Sequence, residues 1–335
     1  MNKFVFFRIN RTNIIFLTDI YLNGEFLVIF IMVTMELSMT FEIFLQHLSN
    51  AVSLGSLYAL IAIGYTMVYG ILRLINFAHG DIFMLGGYFA FYALTMFLMP
   101  WWAGFIVAIG LTAMFGMATE KVAYRPLRDS PKVSVLISAI GVSFFIESLG
   151  VVIFGGIQKA FPIPDIFGKV IKIGSIYIVS VNFYIPVIAL IFFVGLMYLI
   201  NKTKTGMAMR ALSRDHETAR LMAIDVDKII AYTFGLGSLL AAVGGIMWGM
   251  KYPQLYPLMG IMPGLKCFIA AVVGGIGNIT GAVLGGLLIG ILEIMTVAFL
   301  PDLTGYRDAF AFILLIIILL VKPTGLMGES LAEKV

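Results

Sequence analysis

A polar cluster interrupts a long apolar stretch that runs from about residue 52 to residue 98. The cluster comprises Asn76, His79 and Asp81, and the glycines Gly86 and Gly87 follow it. Unsatisfied backbone and charged groups are costly inside a bilayer, so they persist where they line a cavity or contact protein. We therefore expect a helix break that includes the two glycines and lines a path for a hydrophilic solute. Alternatively, Asp81 caps a helix by accepting hydrogen bonds from free N–H groups at its start.

The composition predicts the environment in which this cluster lies. The chain of 335 residues is 61% hydrophobic and 12% charged, and its mean hydropathy is +1.04. Soluble domains have about 25% charged residues, so this chain is predicted to be a polytopic membrane protein. The length accommodates eight or nine spans of roughly 20 residues and leaves no room for a soluble catalytic domain. The predicted fold is an all-α membrane helix bundle with broken helices or re-entrant segments in both halves.

The residue types that usually carry redox or metal chemistry are sparse. The single cysteine, Cys267, excludes a disulfide within the chain, and three scattered histidines show no metal-ligand spacing. We expect no cofactor and no metal in this chain. The net charge of +4 is typical of basic cytoplasmic loops in a membrane protein, and we expect no nucleic acid partner.

Nine apolar runs of helix or half-helix length follow one another along the chain. They are residues 48–70, 80–98, 101–119, 133–154, 181–200, 228–250, 264–276, 279–299 and 308–321. The loops 120–132 and 201–228 carry the most positive charge, which predicts that both are cytoplasmic. Residues 155–180 and 251–263 then lie outside. The tail after Lys322 lies inside if both short C-terminal runs cross the membrane.

A second glycine-rich interruption separates the runs 264–276 and 279–299. It contains Gly274, Gly275, Gly277 and Asn278, and it forms either a cytoplasmic turn or a re-entrant break. Paired broken segments in the two halves of a transporter point to the translocation pathway. We therefore predict that these residues line the path together with the first cluster. The sequence has no Walker A motif, so an ATPase that drives transport is expected to be another chain.

The loop 201–228 contains a segment with helical periodicity at residues 206–223. One predicted face comprises Ala208, Ala211, Leu212, Ala219, Met222 and Ala223, and the other comprises Arg210, Arg214 and Glu217. Such a helix either lies on the lipid surface or docks a partner protein. The candidate coupling residues are Gly206, Arg210, Ala211, Arg214, Glu217, Ala219 and Ala223.

Two further acids, Glu147 and Glu293, lie within apolar runs. A proton-coupled secondary transporter would require such groups to titrate within its pathway. That class is the main rival to an ATP-driven permease. A non-transporting scaffold is disfavoured by the polar interruptions in both halves.

The run Ser53–Leu74, continued by Ile75–Asp81, resembles the H-type permease subunit of branched-chain amino acid ABC importers. The resemblance continues through the cytoplasmic loop, Gly274–Gly286 and the ending Lys322–Gly328, and it covers about 42–328. It implies a permease in the prokaryotic inner membrane that imports branched-chain or other small hydrophobic amino acids. The implied partners are a second related permease, two cytoplasmic ATP-binding subunits and an external solute-binding protein. Urea and amide importers use similar permeases, which leaves that substrate class as an alternative.

The resemblance also extends to the coupling motif Glu-Ala-Ala-x-x-x-Gly of the importers. The matching residues here run from Glu217 to Ala223, with Thr218 in place of the first alanine and Ala223 in place of the glycine. The match implies that this loop contacts an ATPase.

The ends of the chain lie outside the resemblance. Residues 1–38 form an extension that matches nothing in the family, and Met35 or Met39 is a better placed start. We expect 1–38 to be dispensable, 39–328 to form the permease domain and 329–335 to form a short cytoplasmic tail.

Overall fold

The computed structural model describes the backbone of residues 6–8, 14–16, 25–128, 130–174 and 176–328. Side chains are described from Phe41 onward, except for those of Lys132 and Ile173. The chain divides between Leu45 and Gln46 into two compact units, and the second unit holds the site. Residues 329–335 lie outside the described residues, and only the backbone of 6–8, 14–16 and 25–38 is described within 1–38. The expectations for both segments stay predictions.

Helices dominate the described residues, as predicted. The helices are α1 Glu25–Leu72, α2 His79–Thr95, α3 Trp101–Thr119, α4 Lys132–Phe154, α5 Asp165–Gly168, α6 Ser180–Lys202, α7 Lys204–Arg214, α8 His216–Leu221, α9 Val226–Lys251, α10 Ile261–Gly274, α11 Ile279–Phe299 and α12 Arg307–Val321. A π-helical turn, Glu120–Tyr124, extends α3. The strands pair in antiparallel twos: β1 Phe6–Arg8 with β2 Ile14–Phe16, β3 Lys159–Ala160 with β6 Gln254–Leu255, and β4 Val170–Ile173 with β5 Ile176–Val179.

Each of the nine predicted apolar runs corresponds to a helix. Within the described residues, seven helical segments are long and apolar enough to cross a membrane. The helices α2 and α10 are shorter, at 17 and 14 residues. The prediction of a polytopic helical bundle is confirmed.

The loops gather at two ends of the bundle. At one end, which we call the basic end, His216 contacts Ile71 and Arg128 pairs with Asp227. Both basic loops therefore lie together, as the charge pattern predicted. At the opposite end, which we call the far end, β3 pairs with β6. This pairing places the loops 155–180 and 251–263 at the same end.

The helices form a buried centre and an apolar periphery. Helix α1 from residue 51 onward, α2 and α9 are almost entirely buried. By contrast, α4, α6 and α12 expose large apolar side chains along most of their length, such as Phe144, Leu190 and Ile316. In a bilayer these outer faces are suited to lipid, so the central helices carry the polar groups that need protein partners.

Candidate translocation site and coupling surface

Helix α2 begins inside the bundle after a non-helical segment, residues 73–78. Its first residue, His79, packs against Gly64 of α1, where an added Cβ would lie 2.5 Å from the imidazole Nε2. Gly64 lies eight residues, or about 12 Å, before the end of α1. The predicted break at the polar cluster is therefore present, and it lies before His79.

The predicted break at Gly86 and Gly87 is wrong, because α2 continues through both glycines. Their role is close packing. A Cβ on Gly86 would lie 2.5 Å from the Ala242 Cα of α9, and a Cβ on Gly87 would lie 3.0 Å from the Met259 side chain. Small residues let two membrane helices approach without bending either one.

The C-terminal half contains its own non-helical segment at residues 252–260, just before α10. The starts of α10 and α2 abut: a Cβ on Gly80 would lie 2.6 Å from the Gly260 carbonyl oxygen. A Cβ on Gly264 would lie 2.9 Å from the Gly80 Cα. Sequence analysis predicted a loop at 251–263, where Pro253, Pro257 and Gly260 form a turn signal, but it did not predict the contact with the start of α2.

The interruption at Gly274–Asn278 is a turn at the basic end and not a re-entrant break. Asn278 caps α11 by accepting a hydrogen bond from the Gly281 N–H at 2.9 Å, and it donates one to the Met327 carbonyl at 2.9 Å. Gly275 and Gly277 have φ values of +106° and +97°. Gly274 packs against the Gly281 backbone. These residues join α10 to α11 away from the abutting helix starts.

The polar residues of the first cluster link α2 and its lead-in to the neighbouring helices. The Tyr124 hydroxyl donates to Asn76 Oδ1 at 2.7 Å, and the Ser143 hydroxyl donates to Asp81 Oδ2 at 2.5 Å. Glu147, one turn further along α4, is within hydrogen-bonding reach of Asp81. Asp81 is not the N-cap of α2, which is Ala78, but it lies in the first turn of that helix, where its carboxylate also interacts with its own backbone N–H.

His79 is the least accessible member of the cluster. Its ring packs against Tyr65 with centroids 4.5 Å apart, and it hydrogen-bonds to the Ile61 carbonyl. Within the described part of the chain, His79 Nε2 has no hydrogen-bond partner. Asn76, His79 and Asp81 are each at most 3% exposed. The cluster is closed in this conformation.

The predicted cytoplasmic helix 206–223 consists of two helices, α7 and α8. Asp215 separates them in extended conformation and accepts hydrogen bonds from the Glu217 and Thr218 N–H groups at 2.9 and 3.2 Å. A side chain that caps a new helix competes with continuation of the old one. The helical phase therefore restarts at Asp215, and the single predicted face does not exist.

The restart changes which candidate coupling residues are accessible. Ala219 is 3% exposed and packs within its own chain, in a cluster that includes Met209, Leu212 and Ile230. The prediction that Ala219 lies on the docking face is therefore wrong. Gly206 is buried against the end of α6, where an added Cβ would lie 2.5 Å from the Ile200 Cα. The other candidates are exposed: Arg210, Ala211, Arg214, Glu217 and Ala223.

Large apolar side chains lie beside these exposed residues. Leu221 is 86% exposed, Met222 73% and Met207 62%. Exposed basic residues lie on the same two helices, α7 and α8: Lys204, Arg210, Arg214 and Arg220. We call Met207, Leu221 and Met222 the apolar knob. Sequence analysis placed Met222 on the predicted apolar face, but the assumed single helix left Met207 and Leu221 off that face.

The end of α8 has an unusual backbone. Ala223 has a φ of +59°, and hydrogen bonds run from Ile224 N–H to the Ala219 carbonyl and from Ala223 N–H to the Arg220 carbonyl. This pattern is a Schellman motif, in which glycine is the usual residue at the left-handed position. Alanine stands here where the importer motif has glycine.

A hydrogen bond joins this region to the broken helix. His216 donates from Nε2 to the Ile71 carbonyl oxygen at 2.8 Å. Ile71 lies in the last turn of α1, just before the segment 73–78.

Asp225 caps the next helix, α9. The hydrogen bond that its carboxylate accepts from the Lys228 N–H holds the pKa of Asp225 below its usual value.

The fold and site define a class: a polytopic helical membrane protein with two broken central helices and a basic surface at one end. Residues 47–319 match the family described as the permease component of the branched-chain amino acid transport system. The chain belongs to this family, which gives it a transport role.

Individual relatives agree with the family. The chain is 41% identical, over 89% of its length and all of the relative, to the Escherichia coli high-affinity branched-chain amino acid permease protein LivH. It is 42% identical to the Pseudomonas aeruginosa permease protein BraD over 87% of this chain and 98% of that one. It is 23% identical to the Haemophilus influenzae ribose import permease protein RbsC over 85% of this chain and 87% of that one.

Proposed function

We propose that this chain is a permease subunit of an ATP-driven importer of branched-chain amino acids in a prokaryotic inner membrane. It acts with a second related permease, two cytoplasmic ATP-binding subunits and an external solute-binding protein. The chain itself carries no cofactor. Asn76, His79 and Asp81, together with the abutting starts of α2 and α10, line the part of the path that opens during transport. Gly86, Gly87 and the turn Gly274–Asn278 set the helix packing around it.

The observation that carries the proposal is the apolar knob at the basic end. A chain without a nucleotide motif uses ATP only through contact with an ATPase, and that contact must differ between conformational states. Leu221 and Met222 supply buried area for such a contact, and the exposed arginines of α7 and α8 favour an acidic rim on the ATPase. The His216–Ile71 hydrogen bond then offers a route from this surface to the break before α2.

The test uses the complete importer, purified and placed in liposomes. Solute-loaded binding protein is expected to stimulate ATP hydrolysis, and leucine uptake is expected to require ATP. Leu221→Asp combined with Met222→Asp should release the ATPase subunits during purification and abolish uptake. The control is Ile157→Asp, an 82% exposed apolar residue at the far end, which should keep the ATPases bound.

Three other outcomes would contradict the proposal. Uptake that follows a proton gradient without ATP would favour the secondary transporter. Stimulation by urea or an amide but not by leucine would favour the alternative substrate class. An intact and active complex in the Leu221/Met222 variant would place the ATPase contact elsewhere.

A further inference from the structure

Four charged side chains meet where α10, α11 and α12 come together. The Lys266 ammonium lies 2.9 Å from Glu293 and 2.7 Å from Asp308. Arg307 Nε lies 3.7 Å from a carboxylate oxygen of each acid. We call Lys266, Glu293, Arg307 and Asp308 the charged quartet. Its formal charges, two positive and two negative, cancel.

One half of the quartet is buried and firmly held. Lys266 and Glu293 are each 5% exposed. The Tyr58 hydroxyl donates a hydrogen bond to Glu293 at 2.8 Å, on the same oxygen that contacts Lys266. These groups hold one another in place, because loss of Glu293 would remove the acceptor of the Tyr58 hydroxyl, and loss of Lys266 would remove the close cation of the buried Glu293 carboxylate.

The other half is more accessible, and within it Arg307 is loosely held whereas Asp308 pairs closely with Lys266. The side chains of Arg307 and Asp308 are 53% and 34% exposed. The 3.7 Å contacts of Arg307 Nε are too long for hydrogen bonds. The guanidinium can therefore exchange one carboxylate partner for another at low cost.

The accessible half lies at membrane depth. Glu293 is 14 residues after the start of α11, or about 21 Å from the basic end along a hydrocarbon core that is roughly 30 Å thick. Arg307 begins α12, whose exposed side chains are otherwise apolar, such as Ile316, Ile317 and Leu320. Charged groups on such a helix avoid lipid tails and instead face water or protein.

An aromatic group completes the surroundings. Tyr252, at the end of α9, is 39% exposed and interacts electrostatically with both Glu293 and Arg307. Its ring lies 4.7 Å from that of Trp248. The Trp248 ring in turn lies 6.3 Å from that of Tyr58, which donates to Glu293, so an aromatic surface extends from the quartet's buried half to Tyr252.

We infer that the charged quartet is a station for the zwitterionic amino acid on its way through the permease. Arg307 binds the α-carboxylate, Asp308 accepts hydrogen bonds from the ammonium group, and Tyr252 contacts the aliphatic side chain. A zwitterion adds no net charge to a neutral site, whereas an amine or an acid alone leaves one charge unbalanced. The inference rests on the proposed function for its substrate class.

Lys251 is a second cation, and its partners differ from those in the charged quartet. Lys251 donates hydrogen bonds to Ser53 at 2.9 Å and to Asn182 at 2.5 Å. These neutral acceptors offer an ammonium group no charged partner. Lys251 could bind only the carboxylate of the solute, whereas the quartet binds both its carboxylate and its ammonium group.

The test measures equilibrium binding of radiolabelled leucine to the assembled permease–ATPase complex in nanodiscs without binding protein. Unlabelled leucine, leucinamide and 4-methylpentanoate serve as competitors, since each analogue lacks one of the two charges. Wild type should bind leucine at least about tenfold more tightly than either analogue. Arg307→Gln should weaken leucine binding about tenfold and strengthen leucinamide binding, because the site then carries a net negative charge. Asp308→Asn should weaken leucine binding and strengthen 4-methylpentanoate binding, because the site then carries a net positive charge.

Controls separate this inference from subunit assembly and from the proposed function. Lys172→Gln removes an exposed far-end cation outside the quartet and should change nothing. Arg307→Lys keeps the charge and should retain most leucine binding. Loss of the second permease from the Arg307→Gln complex would make the quartet a subunit contact and overturn the inference. Absence of saturable leucine binding to wild type, or equal weakening of all ligands, would also overturn it. ATP-driven leucine uptake by the same wild-type complex, placed in liposomes with the binding protein, tests the proposed function separately.

Discussion

The contact between the starts of α2 and α10 can be tested by adding one methyl group. In Gly80→Ala the new Cβ would lie 2.6 Å from the Gly260 carbonyl oxygen and 3.2 Å from the Gly264 Cα. Both neighbours are backbone atoms, so they cannot rotate away as a flexible side chain would. Overpacking of this kind costs about 1–3 kcal/mol. We expect the thermal unfolding midpoint to fall by a few degrees and transport to decrease.

The chain provides its own unfolding reporter. Cys267 is the single cysteine and is 0% exposed, so a fluorogenic thiol reagent should react with it only as the protein unfolds. The matched control is Gly141→Ala in α4, where an added Cβ meets nothing within 4 Å. That change replaces glycine by a better helix former and should leave the midpoint unchanged or raise it. Equal midpoints and full transport in both variants would refute the close contact of the two helix starts.

Three further changes test other parts of the structure. His216→Ala should keep ATP hydrolysis and lower the leucine uptake per ATP hydrolysed. His216→Gln can still donate to the Ile71 carbonyl and should retain coupling. Normal uptake in the alanine variant would exclude the His216–Ile71 hydrogen bond as part of the coupling route. Ala223→Gly should raise the unfolding midpoint, because an alanine in the left-handed conformation costs roughly 1–2 kcal/mol. The gain from removing this strain is partly offset by the entropy cost of glycine, roughly 0.5–1 kcal/mol. A lower midpoint would contradict the Schellman assignment. Deletion of residues 2–38 should leave transport intact, and failure of the shortened chain to insert would show that the extension is required.

The apolar runs were predictable because span length is fixed by bilayer thickness, and all nine correspond to helices. The break at 73–78 was also predictable, since Asn76 and His79 are incompatible with a lipid-facing helix. The segment 252–260 falls within the predicted loop 251–263, but its contact with the start of α2 was not predicted, because residues so distant in the chain leave no local pattern. The counterpart of the first break was assigned instead to the glycines at 274–278. Those glycines serve a turn, which sequence pattern alone does not distinguish from a re-entrant break.

The position of the coupling surface in the chain was predicted, but which of its residues are exposed was not. Periodicity is informative only while one helix continues, and Asp215 restarts the phase between Arg214 and Glu217. Ala219 consequently turns inward and Leu221 outward. Contacts between distant residues, such as His216 with Ile71 or Lys266 with Glu293, leave no local pattern in a single sequence.

Helix α10 connects the two proposed sites, because Gly264 contacts α2 and Lys266, two residues later, holds the charged quartet. A shift of α2 relative to α10 would therefore move Lys266 against Glu293 and Asp308 and change the leucine affinity. If the ATPase drives this shift through His216, nucleotide binding must alter leucine affinity, and leucine must alter nucleotide affinity by the same factor. His216→Ala should bring the leucine affinities of the nucleotide-bound and nucleotide-free complexes closer together and leave the nucleotide-free value unchanged. An undiminished difference in that variant would show that the signal reaches α10 by a route that bypasses Ile71.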